Sequence, residues 1–270
     1  MTVRILRGDC RDVLATLPDG SAACAVTSPP YWGGLRDYGD PRQLGLERQP
    51  EDYVTALVEV YREVRRILAP DGSLWVNVGD VYAASGKGGG GNQGDRHAWA
   101  TVKERKGFRM PPEGYKMKDL TLVAFQLANA LRKDGWYLRS TVIWCKPAAV
   151  EPMRLDRPAV SHEYLFLLTP GEHCRVRNPG EAWWGHSVWE IAPENDAEHP
   201  AAFPAELPRR CIVASTQEGD CVLDPCSGHG TTGFVADRLK RDAVLVELIP
   251  GYADRADARI RQDLFAGAMQ

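Results

Sequence analysis

One short peptide near the start of the chain, Thr27-Ser28-Pro29-Pro30-Tyr31-Trp32, has the residue types needed to hold an aromatic amine. The Ser28 hydroxyl and the Pro29 carbonyl can accept hydrogen bonds, and Pro30 stiffens the peptide by fixing φ. An exocyclic amine of cytosine or adenine is a poor nucleophile because its lone pair is delocalised, and two acceptors draw the nitrogen towards sp³ geometry. The peptide therefore predicts chemistry on such an amine, with a proline turn beside a core aromatic as the plainer alternative.

Tyr31 adds a flat ring on which an extruded base can stack, a contact worth about 1–3 kcal/mol. An amine inside a duplex is out of reach, so the base must be flipped out at a cost of a few kcal/mol. Stacking on the tyrosine offsets much of that cost, which favours a flipped base as the ligand of this peptide.

A second peptide, Asp224-Pro225-Cys226-Ser227-Gly228-His229-Gly230-Thr231-Thr232, carries two glycines that let the main chain approach a ligand and two threonines that can cap a helix. Glu247 ends the next predicted strand, close to the roughly 20-residue offset at which an acid meets ribose hydroxyls in dinucleotide folds. No lysine follows the second glycine, which excludes a phosphate-binding P-loop. Asp224 and Glu247 provide acidic side chains where a pyrophosphate-binding loop would have none, which suits a cationic nucleoside such as S-adenosylmethionine. The alternative is that the two glycines only form a tight strand-to-helix turn.

Alternating strand-like and helix-like patterns place both peptides at strand ends. The predicted strands cover residues 23–27, 74–78, 137–145, 163–169, 221–224 and 243–247, and the predicted helices cover 54–68, 120–131, 205–215, 230–239 and 252–265. Pro70-Asp71-Gly72 is predicted to end the first helix and Asp119 to cap the second. The pattern predicts an α/β fold with a mostly parallel sheet and helices on both faces, which binds ligands beyond the carboxyl ends of its strands.

The composition fits one domain of this kind. The 270 residues are 44% hydrophobic, enough for a full core, so we expect a single catalytic domain over residues 1–270. The absence of a long apolar run and of a signal-peptide pattern predicts a cytoplasmic protein with no membrane partner. Seven cysteines without a CxxC pair, and histidines without zinc spacing, predict reduced thiols and no metal.

The net charge of −3 hides a basic segment at residues 82–118, which is rich in glycine and lacks apolar periodicity. We interpret 82–118 and the tryptophan-containing segment 171–195 as insertions that contact DNA and read its sequence. A solvated loop, and ordinary packing of the tryptophans, are the alternatives. The predicted DNA contacts are Lys103, Arg105, Lys106, Arg109 and Lys146.

Several motifs in one order resemble the bacterial amino-group DNA methyltransferases of the permuted β class, in which the catalytic peptide precedes the cofactor peptide. The matching segments are 8–10, 27–32, 138–147, 156–158, 161–164, 199–204, 224–232 and 246–252, so the resemblance covers nearly the whole chain. It implies a Rossmann-like S-adenosylmethionine-dependent methyltransferase fold with circularly permuted motif order. Motifs that share one order are far more specific than any single motif.

The resemblance also assigns residues. Ser28, Pro29, Pro30 and Tyr31 would hold the target base. The cofactor would contact Asp9, Cys10, Thr27, His199, Ala201, Phe203, Asp224, Cys226, Ser227, Gly228, Gly230, Thr231 and Glu247. Glu247 would hold the ribose, and Asp9 and Cys10 would lie near the adenine. The family usually has Phe and Ser where this chain has Cys226 and His229, so this loop departs from the pattern at those positions.

Serine at the head of the catalytic peptide resembles the N4-cytosine members, whereas adenine enzymes more often carry Asp or Asn there. We therefore expect a site-specific DNA methyltransferase that acts on N4 of a flipped cytosine, restriction-modification being the implied setting. An adenine-N6 or RNA enzyme is one alternative, and a catalytically silent DNA-binding protein is another. Double-stranded DNA is the expected partner, while a homodimer and a cognate restriction endonuclease stay open, as does the recognition sequence.

Overall fold

The structure is a computed structural model that describes residues 2–33, 37–84, 110–147, 156–194 and 203–267, with side chains described up to residue 261. The elements in chain order are β1 (Val3–Arg7), α1 (Cys10–Leu14), β2 (Ala22–Thr27), α2 (Pro50–Ile67), β3 (Leu68–Val78), α3 (Val123–Lys133), β4 (Tyr137–Cys145), β5 (His162–Thr169), β6 (Val188–Glu190), α4 (Glu206–Ser215), β7 (Cys221–Asp224), α5 (Thr231–Arg238), β8 (Asp242–Glu247) and α6 (Pro250–Gly267). None of the described helices is both long and apolar enough to cross a membrane.

The eight strands form one sheet in the order β1-β8-β7-β2-β3-β5-β4-β6. Five of the seven neighbouring pairs are parallel, and β5 is antiparallel to both β3 and β4. The predicted mostly parallel sheet is therefore confirmed, with β5 as its one reversed strand. Because β2 lies between β7 and β3, the strand that carries the catalytic peptide is central.

Helices cover both faces of the sheet, as predicted. One apolar cluster contains Leu14 of α1, Leu57 of α2 and Leu127 of α3, and the other contains Leu207 of α4 and Val235 of α5. Successive residues of a strand point to opposite faces. The sheet is thus buried on both sides, which explains why β2 is apolar at almost every position.

The first predicted helix, α2, ends before Pro70-Asp71-Gly72, the segment that was predicted to end it. Ile67 is its last residue, and β3 begins at Leu68, so Pro70-Asp71-Gly72 lies within the strand. The pairing with β2 slips there, with Ala22 opposite Leu68 and Cys24 opposite Ser73. A proline cannot donate a ladder hydrogen bond, so an irregularity in the pairing is where a strand tolerates it.

The predicted helix caps were wrong. The second helix begins at Val123, whose backbone N–H donates to Asp80 Oδ1 at 3.1 Å, while Asp119 accepts from the backbone of Lys116. Gly230, not a threonine, precedes α5, and Thr232 donates its hydroxyl to Asp224 instead of capping. At α3 a carboxylate distant in sequence, Asp80, takes the role that a local side chain was expected to fill, whereas Gly230 offers no side chain to cap α5.

The ends of the predicted insertion 82–118 lie side by side. The backbone N–H of Ala83 donates to Asp119 O at 2.7 Å, and Lys118 N–H donates to Ala83 O at 3.1 Å. Residues 85–109 lie outside the described residues. The segment 171–195 is more regular than expected, because it contains a short 3₁₀ helix, Ala182–Gly185, and the edge strand β6.

Strand β6 anchors the segment 171–195 to the sheet. It pairs with β4, and Trp189 at its centre is 2% exposed and packs on Trp75 with ring centroids 6.0 Å apart. Arg210 of α4 stacks on Trp183 and Trp189 at about the same distance from both rings. Ordinary packing therefore explains the position of Trp189.

We expect Leu127→Ala to lower the free energy of unfolding by about 2–5 kcal/mol, because it deletes a fully buried side chain of the α3 face. Leu122→Ala, just before the same helix, is the matched control, since Leu122 is 49% exposed. Its effect should stay within about 0.5 kcal/mol. Guanidinium unfolding of the two variants measures the difference, and equal losses would contradict this account of the core.

Candidate active site

The predicted site residues converge at one edge of the sheet. Asp9 follows β1, Glu247 ends β8, Asp224 ends β7 and Ser28 follows β2, and these four strands are parallel neighbours. Their carboxyl ends therefore meet at the same edge. Backbone hydrogen bonds join them, from Gly8 N–H to Glu247 O at 2.9 Å and from Ser227 N–H to the strand β8 at 3.0 Å.

The cofactor peptide and the catalytic strand are in direct contact. The Thr232 hydroxyl lies 2.6 Å from Asp224 Oδ2 and 3.5 Å from the carbonyl of Val26, a residue of β2. The other carboxylate oxygen of Asp224 accepts from Cys226 N–H at 3.1 Å. Asp224 thus links the glycine loop to the strand that ends in the catalytic peptide.

The glycine loop is held by Glu247. Its two carboxylate oxygens accept backbone hydrogen bonds from Gly228 at 2.7 Å and from Ile249 at 2.8 Å. Gly230 has φ of +74°, and a Cβ there would lie 2.8 Å from the Cβ of Ala256. Only glycine meets both the backbone and the space requirement at this position, so the close approach of the loop to α6 depends on it.

Two acids at this edge of the sheet, Asp224 and Glu247, are buried, and their hydrogen-bond partners among the described residues include no basic side chain. Asp224 is 1% and Glu247 is 7% exposed. Burial raises the pKa of Asp224 to about 6 and that of Glu247 to about 7, and the charge of Asp224 adds to the second shift. A cation bound beside them would favour their ionised forms. The residues present therefore fit the positively charged S-adenosylmethionine.

The other predicted cofactor residues differ in their surroundings. Asp9 caps α1 and is paired with Arg11, while Cys10, Thr27 and Phe203 are buried. Cys226 lies next to Cys10, which together with burial raises the pKa of its thiol well above the ordinary value. Ser227 donates to Val246 O, and Thr231 accepts from Arg259. His199 and Ala201 lie outside the described residues.

The catalytic peptide is clamped by residues that sequence reasoning missed. Tyr53 of α2 donates its hydroxyl to Pro30 O at 2.9 Å. Gly45, with φ of +90°, packs so closely that a Cβ would lie 2.5 Å from the Tyr31 carbonyl oxygen. Trp32 donates its indole N–H to Glu47 O at 2.8 Å. The backbone on both sides of Tyr31 is therefore fixed by contacts from outside the peptide.

The Tyr31 side chain is tied to two neighbouring strands. Its hydroxyl donates to Glu163 Oε2 at 2.6 Å and lies 3.2 Å from Asn77 Oδ1. Burial, and then the charge of Glu163, raises the pKa of Tyr31 well above its ordinary value, against a smaller lowering by Ser28. The phenol is therefore a hydrogen-bond donor at neutral pH. Glu163 lies in a segment that matched the resembled family, but sequence reasoning assigned no role to it.

Of the predicted DNA contacts, the structure describes one. Lys146 follows β4, and its ammonium forms an ion pair with Glu163 and lies 4.4 Å from the centroid of the Trp144 ring. Only 13% of its side chain is exposed. Lys103, Arg105, Lys106 and Arg109 lie outside the described residues. Among the described side chains, no group of three or more His, Cys, Asp or Glu residues could hold a metal ion.

Comparison with known proteins gives consistent matches. The family model described as DNA methylase matches residues 22–258. The Type II methyltransferase M.Cfr9I of Citrobacter freundii is 43% identical over 95% of this chain and 87% of its own length. M.XycI of Xanthomonas campestris pv. cyanopsidis, also a Type II methyltransferase, is 42% identical with the same coverage.

A solved structure extends the match to three dimensions. The Thermus thermophilus protein TTHA0409, solved in complex with S-adenosyl-L-methionine, is 29% identical. It superposes with a TM-score of 0.69 over 97% of this chain and 94% of that protein.

We expect Gly45→Ala to abolish most activity, because its Cβ would collide with the Tyr31 backbone and displace the catalytic peptide. Gly39→Ala is the matched control, since Gly39 has nearly the same φ of +87° but open space around it. Both variants carry the backbone penalty, so their unfolding temperatures should both fall, while only Gly45→Ala loses methyl transfer. Equal activity of the two variants would contradict the clamp.

Binding of S-adenosylmethionine should weaken as the pH falls from about 8 to about 5.5. Glu247 has a pKa of about 7 against an ordinary 4.5, so below about 7 it must release a proton before its carboxylate can bind the ribose of the cationic cofactor. For one coupled carboxyl, the affinity falls by up to about tenfold per pH unit below that pKa. Titration calorimetry in buffers of different ionisation enthalpy measures the released proton. The Glu247→Gln variant should bind weakly with less pH dependence, and a constant wild-type affinity would refute the linkage.

Proposed function

Because the chain belongs to the DNA methylase family, we propose that it methylates the N4 amine of a flipped cytosine at a specific site in duplex DNA. It is an S-adenosylmethionine-dependent methyltransferase of the group that modifies N4 or N6 amines. The choice of cytosine is the finer step, and it rests on one observation. A neutral serine, Ser28, heads the catalytic peptide, directly after the central strand β2 and beside the cofactor loop.

The chain's own groups prepare the amine for attack. The Ser28 hydroxyl and the Pro29 carbonyl would accept hydrogen bonds from the two N–H groups of the amine, which localises the lone pair on nitrogen. Tyr53 holds the adjacent Pro30 carbonyl, so the peptide keeps its shape when the base enters. Tyr31 would stack on the flipped base, and a neutral hydroxyl suffices for the cytosine amine because the acceptor need only orient it.

The cofactor half supplies binding and orientation. When bound, S-adenosylmethionine provides an electrophilic methyl group on a sulfonium. Asp224 and Glu247 would hold it from the carboxyl ends of β7 and β8, and the contact of Thr232 with β2 fixes this half against Ser28. The two halves are adjacent in the sheet, which supports direct transfer between them without movement of either strand.

Recognition of DNA is assigned to the basic insertion. Lys103, Arg105, Lys106 and Arg109 lie in the sequence between Ala83 and Lys118, whose backbones are joined by a hydrogen bond. Lysine and arginine neutralise phosphates or bind guanine edges. The segment 171–195 carries four acidic and two basic side chains, whereas 82–118 is basic, so within the proposed single catalytic domain the insertion 82–118 is the better candidate.

The decisive experiment incubates the purified protein with unmethylated DNA and methyl-labelled S-adenosylmethionine, followed by nucleoside mass spectrometry. We expect N4-methylcytosine, and its loss in Ser28→Ala, because the variant removes one of the two amine acceptors. Thermal unfolding of the variant, together with its binding of S-adenosylmethionine, controls for folding.

N6-methyladenine as the product would keep the fold and the mechanism but overturn the choice of base. DNA binding without any modified nucleoside, on DNA of varied sequence, would instead support a catalytically silent binding protein.

A further inference from the structure

A buried ion pair stands behind the catalytic tyrosine. Lys146 follows β4 and Glu163 lies on β5, and their side chains are 13% and 16% exposed. The two strands are antiparallel partners, with Trp144 opposite Glu163, so the pair is placed by the sheet. Withdrawing two charges from water is costly unless both are well paired, and such a pair calls for a reason beyond stability.

The two oxygens of Glu163 serve two different partners. Oε1 accepts from the Lys146 ammonium, and Oε2 accepts from the Tyr31 hydroxyl at 2.6 Å. Asn77 lies 3.2 Å from the same hydroxyl and is itself oriented by donating its amide N–H to Tyr164 O. The end of the tyrosine side chain is therefore fixed by groups on β3 and β5.

The ring of Tyr31 is restricted along its edge as well. A Cβ at Gly79 would lie 2.9 Å from Cε2 of Tyr31, so the backbone after β3 touches the ring. A ring that is held at its hydroxyl and along its edge cannot rotate freely. A stacking partner of fixed orientation loses less entropy when the base arrives.

We infer that Lys146 and Glu163 are positioning residues that hold Tyr31 in the orientation required by the flipped base. The inference rests on the proposed stacking role of Tyr31. Lys146 acts through Glu163, whose carboxylate it orients, and this differs from a role as a phosphate contact. A phosphate would have to draw the ammonium away from Glu163 and from the face of Trp144.

The test compares Tyr31→Phe, Glu163→Gln and the double variant in single-turnover methylation of DNA that the wild type modifies. Each single change removes the same hydrogen bond to a charged group, so each should lower the rate about 10- to 100-fold. The two losses should not multiply in the double variant, because both changes break the same hydrogen bond between Tyr31 and Glu163. Affinity for S-adenosylmethionine should stay within about twofold of the wild type.

Asp134→Asn is the matched control for the loss of a carboxylate. Asp134 is 15% exposed and paired with Arg62 on the outer side of α2 and α3, far in the fold from the catalytic peptide. It should keep the wild-type rate, and it should lose less thermal stability than Glu163→Gln because Arg62 is 60% exposed. Tyr31→Phe leaves the ion pair in place, so it decides the question even if Glu163→Gln fails to fold.

Lys146→Met separates the two roles of the lysine. A phosphate contact contributes about 0.9 to the slope of log affinity for DNA against log salt. We expect that slope to be unchanged while the single-turnover rate falls as in Glu163→Gln. A slope reduced by about one with the rate retained would overturn the inference, and so would multiplicative losses in the double variant or a wild-type rate in Tyr31→Phe.

These outcomes differ from failure of the proposed function. If the wild type yielded no methylated nucleoside, both the function and this inference would fall. If the wild type methylates DNA and the variants match its rate, only the positioning role is removed.

Discussion

The contact between Thr232 and Asp224 is the interaction on which the site depends. Asp224 is buried at the end of β7, and a buried carboxylate must have its oxygens satisfied. One is satisfied by the glycine loop and the other by a threonine that also lies against β2. The requirement to satisfy one acid therefore fixes the distance between the cofactor loop and the catalytic peptide.

The catalytic peptide is likewise held in place by contacts from distant parts of the chain. Pro30 is held by Tyr53 of α2. Tyr31 is held by Gly45, in a turn after β2, and by Glu163 of β5. Each contact joins parts of the chain that only the folded sheet brings together. The groups proposed to accept the amine are thus preorganised by the core, which would spare the reaction the cost of arranging them.

The sequence predicted the parts of this design that are local. Proline cannot donate a hydrogen bond to a neighbouring strand, so the prolines after β2 and β7 predicted where these strands end. The carboxyl ends of the strands in turn predicted the edge of the sheet where ligands bind. The sequence could not predict the hydrogen bond of Tyr31 to Glu163, because the two residues are 132 positions apart. The prediction of the α3 cap was wrong for the same reason, because the carboxylate that accepts from the first turn of α3 belongs to Asp80, 43 positions before Val123. Strand β6 was missed because three residues give too short a pattern.

The paired ends of the insertion 82–118 have an evolutionary consequence. Hydrogen bonds between Ala83 and its partners at 118 and 119 close the base of the insertion within the fold. The spacing of those ends is then independent of what lies between them, and doubling the length of a closed loop costs only about 0.6 kcal/mol. If the insertion reads DNA as proposed, its exchange or lengthening between lineages changes the target sequence while the residues at the sheet edge stay the same.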